Sequence, residues 1–370
     1  MTELKQVLYV HSGDNWIAGS ERVLLDIVES LDRSRFRPTA LCKSEVLAKE
    51  LAARGVKTKV FPLATVLPYG GRSLRAYLQS VAQVRNMVRE ESIDLVHATS
   101  AISMQYVLPV AKMRGISAIA HVQGKHLKSS RVGAFIAWAD AVVAVSTWIS
   151  RDYRIAGNRL SIVSDGINTD RFCRNIVERE RLRLELGIAT DEPVVGMVGQ
   201  LLPGKRPLLF VDIASVVCTK FPRARFILAG AGELEKDVVA AVEAAGLSGR
   251  ILVLGYRADV PALLSAMDIF LFTSCNEALG LAPLEAASSG LPVVAGAATA
   301  LPEVVEDGTT GFLVDPDNVG AYAEKCVQLI EDEALAQRMG AAGREMIFRK
   351  FSLEAFRMNI DQLYRRLLQC

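Results

Sequence analysis

Short apolar runs alternate with helical patterns along nearly the whole chain, and that alternation admits few folds. Strands are expected near residues 7–10, 39–42, 95–98, 118–122 and 141–145, and again near 194–198, 226–229, 251–254, 269–272 and 293–295. Helical spacing lies between them. Residues 21–31 place Val23, Leu24, Ile27, Val28 and Leu31 on one side, and residues 74–89 carry several arginines among their polar positions. Strands joined by helices pair in parallel, so the expectation is an α/β chain of stacked βα units in two similar halves.

At 370 residues the chain exceeds the size at which a single core keeps growing, so two domains are expected. The boundary is placed after the turn-rich Ser164-Asp165-Gly166-Ile167-Asn168, giving domains over 1–170 and 171–350. The remaining 351–370 has helical spacing but no strand to accompany, and is expected to pack back on the first domain. The charged run from Glu178 to Glu185 reads as a solvated helix face.

Composition excludes several classes. With 43 basic and 41 acidic residues, the net charge of +2 calls for no nucleic-acid partner. The six cysteines form no CxxC pair and no cluster with histidine, which argues against structural zinc or a disulfide scaffold and fits a reducing, cytoplasmic setting. The N-terminal residues show no signal-peptide pattern, and no apolar run approaches the ~18 residues needed to span a bilayer. A soluble or at most peripheral protein is expected.

The densest chemistry lies in Asn276-Glu277-Ala278-Leu279-Gly280-Leu281-Ala282-Pro283-Leu284-Glu285. A buried strand precedes it, and Pro283 sits early in a helical run that ends at Gly290. The turn would aim the free N–H groups of Gly280, Leu281 and Ala282 above the strand's carboxyl end, a setting that favours phosphate. Glu277 in the loop and Glu285 in the helix can then reach opposite ends of one ligand. Upstream, Gly199-Gln200-Leu201-Leu202-Pro203-Gly204-Lys205-Arg206 closes another strand with a glycine-containing loop that can approach a diphosphate, Lys205 supplying positive charge. Gly230-Ala231-Gly232 lacks the third glycine of a dinucleotide fingerprint. Near the N terminus, Gly13 and Ala18-Gly19-Ser20-Glu21 form a loop that either faces a second phosphate or is capped by Ser20. His121 ends a strand, as do His11 and His97, so position alone does not single it out.

The second half resembles the donor-binding domain of the retaining glycosyltransferases of family 4. The motifs that carry the resemblance run in order from Gly199 to Lys205, through Leu228 to Gly232, Leu254 to Arg257 and Ala266 to Phe270. They continue from Ser274 through Glu285 to Ala295, then Pro302-Glu303 and Gly308 to Phe312. The first half matches more loosely through Gly19-Ser20-Glu21, Asp94 to His97, His121, Val145-Ser146 and Asp165-Gly166-Ile167.

The resemblance implies a GT-B architecture, two Rossmann-like domains facing across a cleft, and transfer of a glycosyl group with retention. It implies a nucleotide-sugar donor (UDP-, GDP- or ADP-sugar) and a glycan, lipid-linked or small-molecule acceptor. Glu277 would contact a sugar hydroxyl, Glu285 the ribose, and Lys205 with the Gly280, Leu281 and Ala282 amides the diphosphate. Gly19 would approach the diphosphate from the first domain, His121 would line the sugar site, and Tyr256-Arg257 would meet the base. Three positions depart from the family pattern. Gln200 stands in place of an arginine that Arg206 would have to replace, Ala18 in place of a glycine, and Leu279 in place of a phenylalanine. No obligatory metal is expected, since Lys205 and a helix N terminus can take the place of one.

Two rival readings share this fold: a nucleotide-sugar epimerase, and a non-catalytic nucleotide-sugar-binding protein. An NAD-dependent dehydrogenase is disfavoured, because neither half carries Gly-x-Gly-x-x-Gly after its first strand. Arg75, Arg85 and Arg89, with Arg72 before them and Lys125, Lys128 and Arg131 on a later loop, form either a docking surface for anionic lipid at the inner membrane face or a solvated face of a protein with soluble acceptors.

Overall fold

A computed structural model describes residues 4–13, 15, 17, 19–65, 73–124, 132–153, 155 and 157–369. Ala18, Arg72, Lys125, Lys128 and Arg131 lie outside the described residues. The chain divides into two compact units, one of Met1–Gly166 with Leu353–Cys370 and one of Ile167–Ser352.

The first unit is built on seven strands: β1 (Lys5–His11), β2 (Phe36–Cys42), β3 (Lys57–Val60), β4 (Leu95–Ala98), β5 (Ser117–Val122), β6 (Ala141–Ala144) and β7 (Leu160–Ile162). They form one parallel sheet in the order β3-β2-β1-β4-β5-β6-β7. The second unit holds β8 (Val194–Val198), β9 (Arg225–Ala229), β10 (Ile251–Val253), β11 (Ile269–Phe272), β12 (Val293–Gly296) and β13 (Gly311–Val314). Their order, β10-β9-β8-β11-β12-β13, repeats the same winding, and this sheet is also parallel throughout. Each is a Rossmann-like α/β unit. The central strands are apolar along their length because helices cover both faces of such a sheet: Val7, Leu8, Tyr9 and Val10 are fully buried, as are Phe270 and Leu271.

All ten expected strands are present, nine within two residues at each end and β2 starting three residues earlier, at Phe36. β3, β7 and β13 were not anticipated. The helices expected at 21–31 and 74–89 span Gly19–Ser30 and Leu74–Glu90. In the first unit, one side of the core packs Val23, Leu24 and Ile27 against Phe356, Ile360 and Leu363 of the helix Leu353–Leu368. Gly166 fits there because a Cβ would come within 2.9 Å of Leu353 and Phe356.

Aspartates set the starts of the inner strands. Asp94 Oδ2 accepts from Gln6 N (2.7 Å), Asp140 Oδ2 from Ala118 N (2.9 Å) and Asp268 Oδ2 from Val194 N (2.9 Å). Each stands just before one strand and accepts from an amide within the first two residues of its neighbour, so that strand-end donor has a partner. The charged run 178–185 proves to be part of this device rather than a solvated face throughout. Arg183 is only 2 % exposed, and it reaches Asp268 Oδ2 at 2.7 Å while Arg179 takes Oδ1 at 2.7 Å. Burying the Arg183 guanidinium is tolerable because carbonyls of Ala266, Ala189 and Glu192 accept its remaining protons. Arg181, by contrast, is exposed and pairs with Glu178 and Glu185.

Candidate active site

In an open parallel sheet of this winding, a ligand sits outside the carboxyl ends of the strands where the strand order reverses. In the second unit that point lies between β8 and β11. The loop leaving β8 passes through a single turn, Pro203–Lys205, into the helix Pro207–Lys220. The loop leaving β11 runs to Gly280 and enters the helix Leu281–Ser288.

Hydrogen bonds stitch these loops together. Thr273 Oγ1 shares its proton between the carbonyls of Lys205 (2.8 Å) and Arg206 (3.0 Å). Ser274 Oγ and Cys275 N both donate to Gly204 O at 3.1 Å. The result is an ion pair between the Lys205 ammonium and the Glu277 carboxylate. Glu277 is buried, and the Lys205 side chain keeps 25 % of its surface. The Glu277 N–H donates to Thr299 Oγ1 at 3.1 Å. Thr299 has φ 52°, which a β-branched residue rarely adopts, so the surroundings hold it there against its own preference.

Gly280 has φ 107°, and a Cβ would stand 3.1 Å from Pro283 and 3.2 Å from Leu301. Only glycine makes this turn without strain. The turn starts the helix, whose first amides have no intrahelical acceptor and carry the positive end of its dipole. Glu285 is half-buried within that helix and has an interaction partner.

Gly230 and Gly232 serve packing. A Cβ on Gly230 would lie 1.8 Å from Gly199 O, and one on Gly232 2.4 Å from Leu201 O, so the loops after β8 and β9 touch backbone to backbone. Gln200 is exposed in the first of these loops. Arg206 is turned to the loop after β13: its guanidinium donates to Pro316 O (2.7 Å) and pairs with Asp317 (2.8 Å). Arg257 is gripped by both oxygens of Asp259 at 2.8 and 2.6 Å, with Glu185 at 3.3 Å, while Tyr256 is 79 % exposed.

In the first unit Gly19 opens its helix and is exposed. Ser20 lies inside that helix, and its hydroxyl donates to Glu21 Oε2 at 3.0 Å. Glu21 also meets His11 Nε2 at 2.9 Å; burial opposes its ionisation, but the bonds from His11 and Ser20 prevail and hold its pKa below the ordinary range. His121 is fully buried, its ring stacked on His97 at 5.4 Å. Burial pushes its pKa down to about 3, so it is neutral, and neither ring nitrogen has a partner among the described residues. His97 Nδ1 is 2.7 Å from Tyr364 Oη, which bonds Tyr9 Oη at 3.1 Å.

Thr273 and Thr299 escaped sequence reasoning. Their hydroxyls act on backbone atoms distant in sequence, which no spacing rule reveals.

With this geometry in hand, known proteins supply the decisive comparison. Residues 17–171 match the profile described as Glycosyltransferase Family 4, and residues 178–346 match that of Glycosyl transferases group 1. The chain belongs to this glycosyltransferase family. It is 25 % identical over 86 % of its length, and 86 % of the relative's, to the UDP-Gal:alpha-D-GlcNAc-diphosphoundecaprenol alpha-1,3-galactosyltransferase of Escherichia coli. It is 32 % identical to the D-inositol 3-phosphate glycosyltransferase of Corynebacterium glutamicum (strain R) over 60 % of this chain and 56 % of that one. Among solved structures, Anabaena HepE in complex with UDP superposes with a TM-score of 0.85 at 22 % identity, covering 98 % of this glycosyltransferase and 100 % of that chain. At that identity the likeness speaks for the fold, which is GT-B.

Proposed function

We propose that this glycosyltransferase moves a hexosyl group, with retention, from a UDP-sugar to a hydroxyl of an acceptor, a lipid-linked glycan being the leading candidate. One observation carries the reading: Lys205, Glu277 and the amide-bearing helix start at Leu281 converge where the second sheet reverses its strand order. The E. coli relative, which by its name uses UDP-Gal and a diphosphoundecaprenol-linked sugar, supports the donor and acceptor classes.

In this reading Lys205 and the amides of Gly280, Leu281 and Ala282 hold the diphosphate and stabilise the charge it gains as the bond to the anomeric carbon breaks. Glu277 accepts from a sugar hydroxyl and Glu285 from the ribose. The loop at Tyr256 and Arg257 meets the base through its backbone, since the Arg257 side chain is already paired. The acceptor oxygen bonds the anomeric carbon on the face the diphosphate leaves, and its proton passes to the departing phosphate oxygen. Catalysis then rests on positioning and electrostatics.

The helix Leu74–Glu90 supports a lipid-linked acceptor. It exposes Leu74 (65 %) and Leu78 (55 %), together with Arg75, Arg85 and Arg89. Helical geometry puts Leu74, Leu78, Arg85 and Arg89 in one stripe, which suits peripheral docking on the cytoplasmic membrane face.

The test incubates the protein with α-linked UDP-glucose, UDP-galactose and UDP-N-acetylglucosamine and a panel of acceptors, reading the product by NMR. An α-glycoside is expected. A β-glycoside refutes retention, an isomerised donor without transfer identifies an epimerase, and binding without turnover identifies a binding protein.

A further inference from the structure

The cationic side chains nearest the β8 end are unequally committed. Arg206 is engaged with Pro316 and Asp317, and Arg257 with Asp259 and Glu185. Gln200 is neutral. Lys205 is the remaining cation of its loop, and its charge is spent on Glu277. A diphosphate that claims the ammonium must compete with that carboxylate for it.

We infer that Lys205 and Glu277 form an exchange pair, in which Glu277 competes with the nucleoside diphosphate for Lys205 and drives release of the product. The inference rests on the functional reading above. With an intact donor, Lys205 moves from Glu277 to the diphosphate, and the freed carboxylate accepts from a sugar hydroxyl, so both charges remain partnered. After transfer the sugar departs and Glu277 is left buried with no hydroxyl and a phosphate nearby. A buried carboxylate without a partner is costly, and the negative charge of a neighbouring diphosphate adds repulsion. Both costs vanish when Lys205 returns to Glu277 and the diphosphate leaves. The pair therefore weakens binding of the product relative to the donor, which is where a transferase gains turnover when release is slow.

The positions of the two groups make this exchange small. Glu277 is held through its backbone by Thr299, and Lys205 through its carbonyl by Thr273. The backbones stay fixed while one ammonium swings between two acceptors.

The experiment measures UDP affinity by calorimetry for the wild type, Glu277→Gln, Lys205→Met and the double variant, with product inhibition measured alongside. Glu277→Gln keeps the shape but removes the competing charge. It is expected to bind UDP about fivefold more tightly or better, to be more strongly inhibited by UDP, and to turn over more slowly. In the Lys205→Met background the same substitution is expected to give no comparable gain. Unchanged or weaker UDP binding by a folded Glu277→Gln protein overturns the exchange, and so does an equal gain without Lys205, which would mean plain repulsion. Should Glu277→Gln fail to fold, Glu277→Asp, whose shorter carboxylate withdraws from Lys205, must show the same tightening. A wild type that binds no UDP or other nucleoside diphosphate refutes the functional reading itself, whereas UDP bound equally by wild type and variant sinks the exchange alone.

Discussion

Lys205 is held by its carbonyl while its ammonium remains exchangeable, so a substitution there should touch chemistry more than folding. Lys205→Ala is expected to lower turnover by roughly 100-fold or more, the loss typical of removing one electrostatic stabiliser. Steady-state kinetics alongside thermal unfolding checks this, and near-normal turnover would move the role elsewhere. Asp165 gives a different prediction. It is buried with Oδ1 unpartnered among the described residues, and burial, aided by the negative charge of Asp26, pushes its pKa up to about 8. An acid whose pKa is higher folded than unfolded binds its proton more tightly in the native state. Stability from this residue is therefore full below the unfolded pKa of about 4 and falls as pH rises towards 8. Asp165→Asn should accordingly raise the melting temperature clearly at pH 8.5 and much less at pH 5; equal gains at both would refute the assignment. Of the candidate site, Glu277, Lys205 and Gly280 could be singled out because a charge beside a loop glycine before a helix leaves a local signature. The commitment of Arg206 could not, since Pro316 is far away in sequence and only the fold brings it near.

At the scale of elements, the two sheets share one device in which an aspartate before an inner strand anchors an amide at the start of the neighbouring strand. In the second unit Arg183 and Arg179 complete it around Asp268. Arg183→Met should destabilise the protein by about 2 kcal/mol or more, because buried carbonyls and one carboxylate oxygen lose their donor. Chemical denaturation of the variant measures the loss, and a change below about 0.5 kcal/mol would show the network to be dispensable. The inner strands were readable because burial on both faces writes them as unbroken apolar runs. β3 has lysines at Lys57 and Lys59 and lies at a sheet edge, where charge wards off unwanted pairing. β7 and β13 are also edge strands, of three and four residues, too short to display a period. The run from 178 to 185 misled for the opposite reason: its charge pattern is that of a solvated helix, and burial of Arg183 depends on Asp268 from another element.

For the whole molecule, a net charge of +2 spreads too thinly to attract a membrane by itself, so docking must come from a local face. Vesicle co-sedimentation tests the stripe on the helix Leu74–Glu90. Binding to anionic but not neutral vesicles, lost on adding salt and weakened in Arg85→Gln/Arg89→Gln, is expected, each cation contributing about 1 kcal/mol. No binding at low salt would exclude this route. No helix among the described residues is long and apolar enough to cross a membrane. The composition of the first unit from Met1–Gly166 and Leu353–Cys370 also orders events during synthesis. The ribosome must make the entire second unit before it supplies Phe356, Ile360, Leu363 and Tyr364 to the first. Until then the nascent first unit presents an open apolar seat, a natural target for chaperones, and a message cut short within the last helix would yield a sticky, unfinished protein rather than a smaller working one.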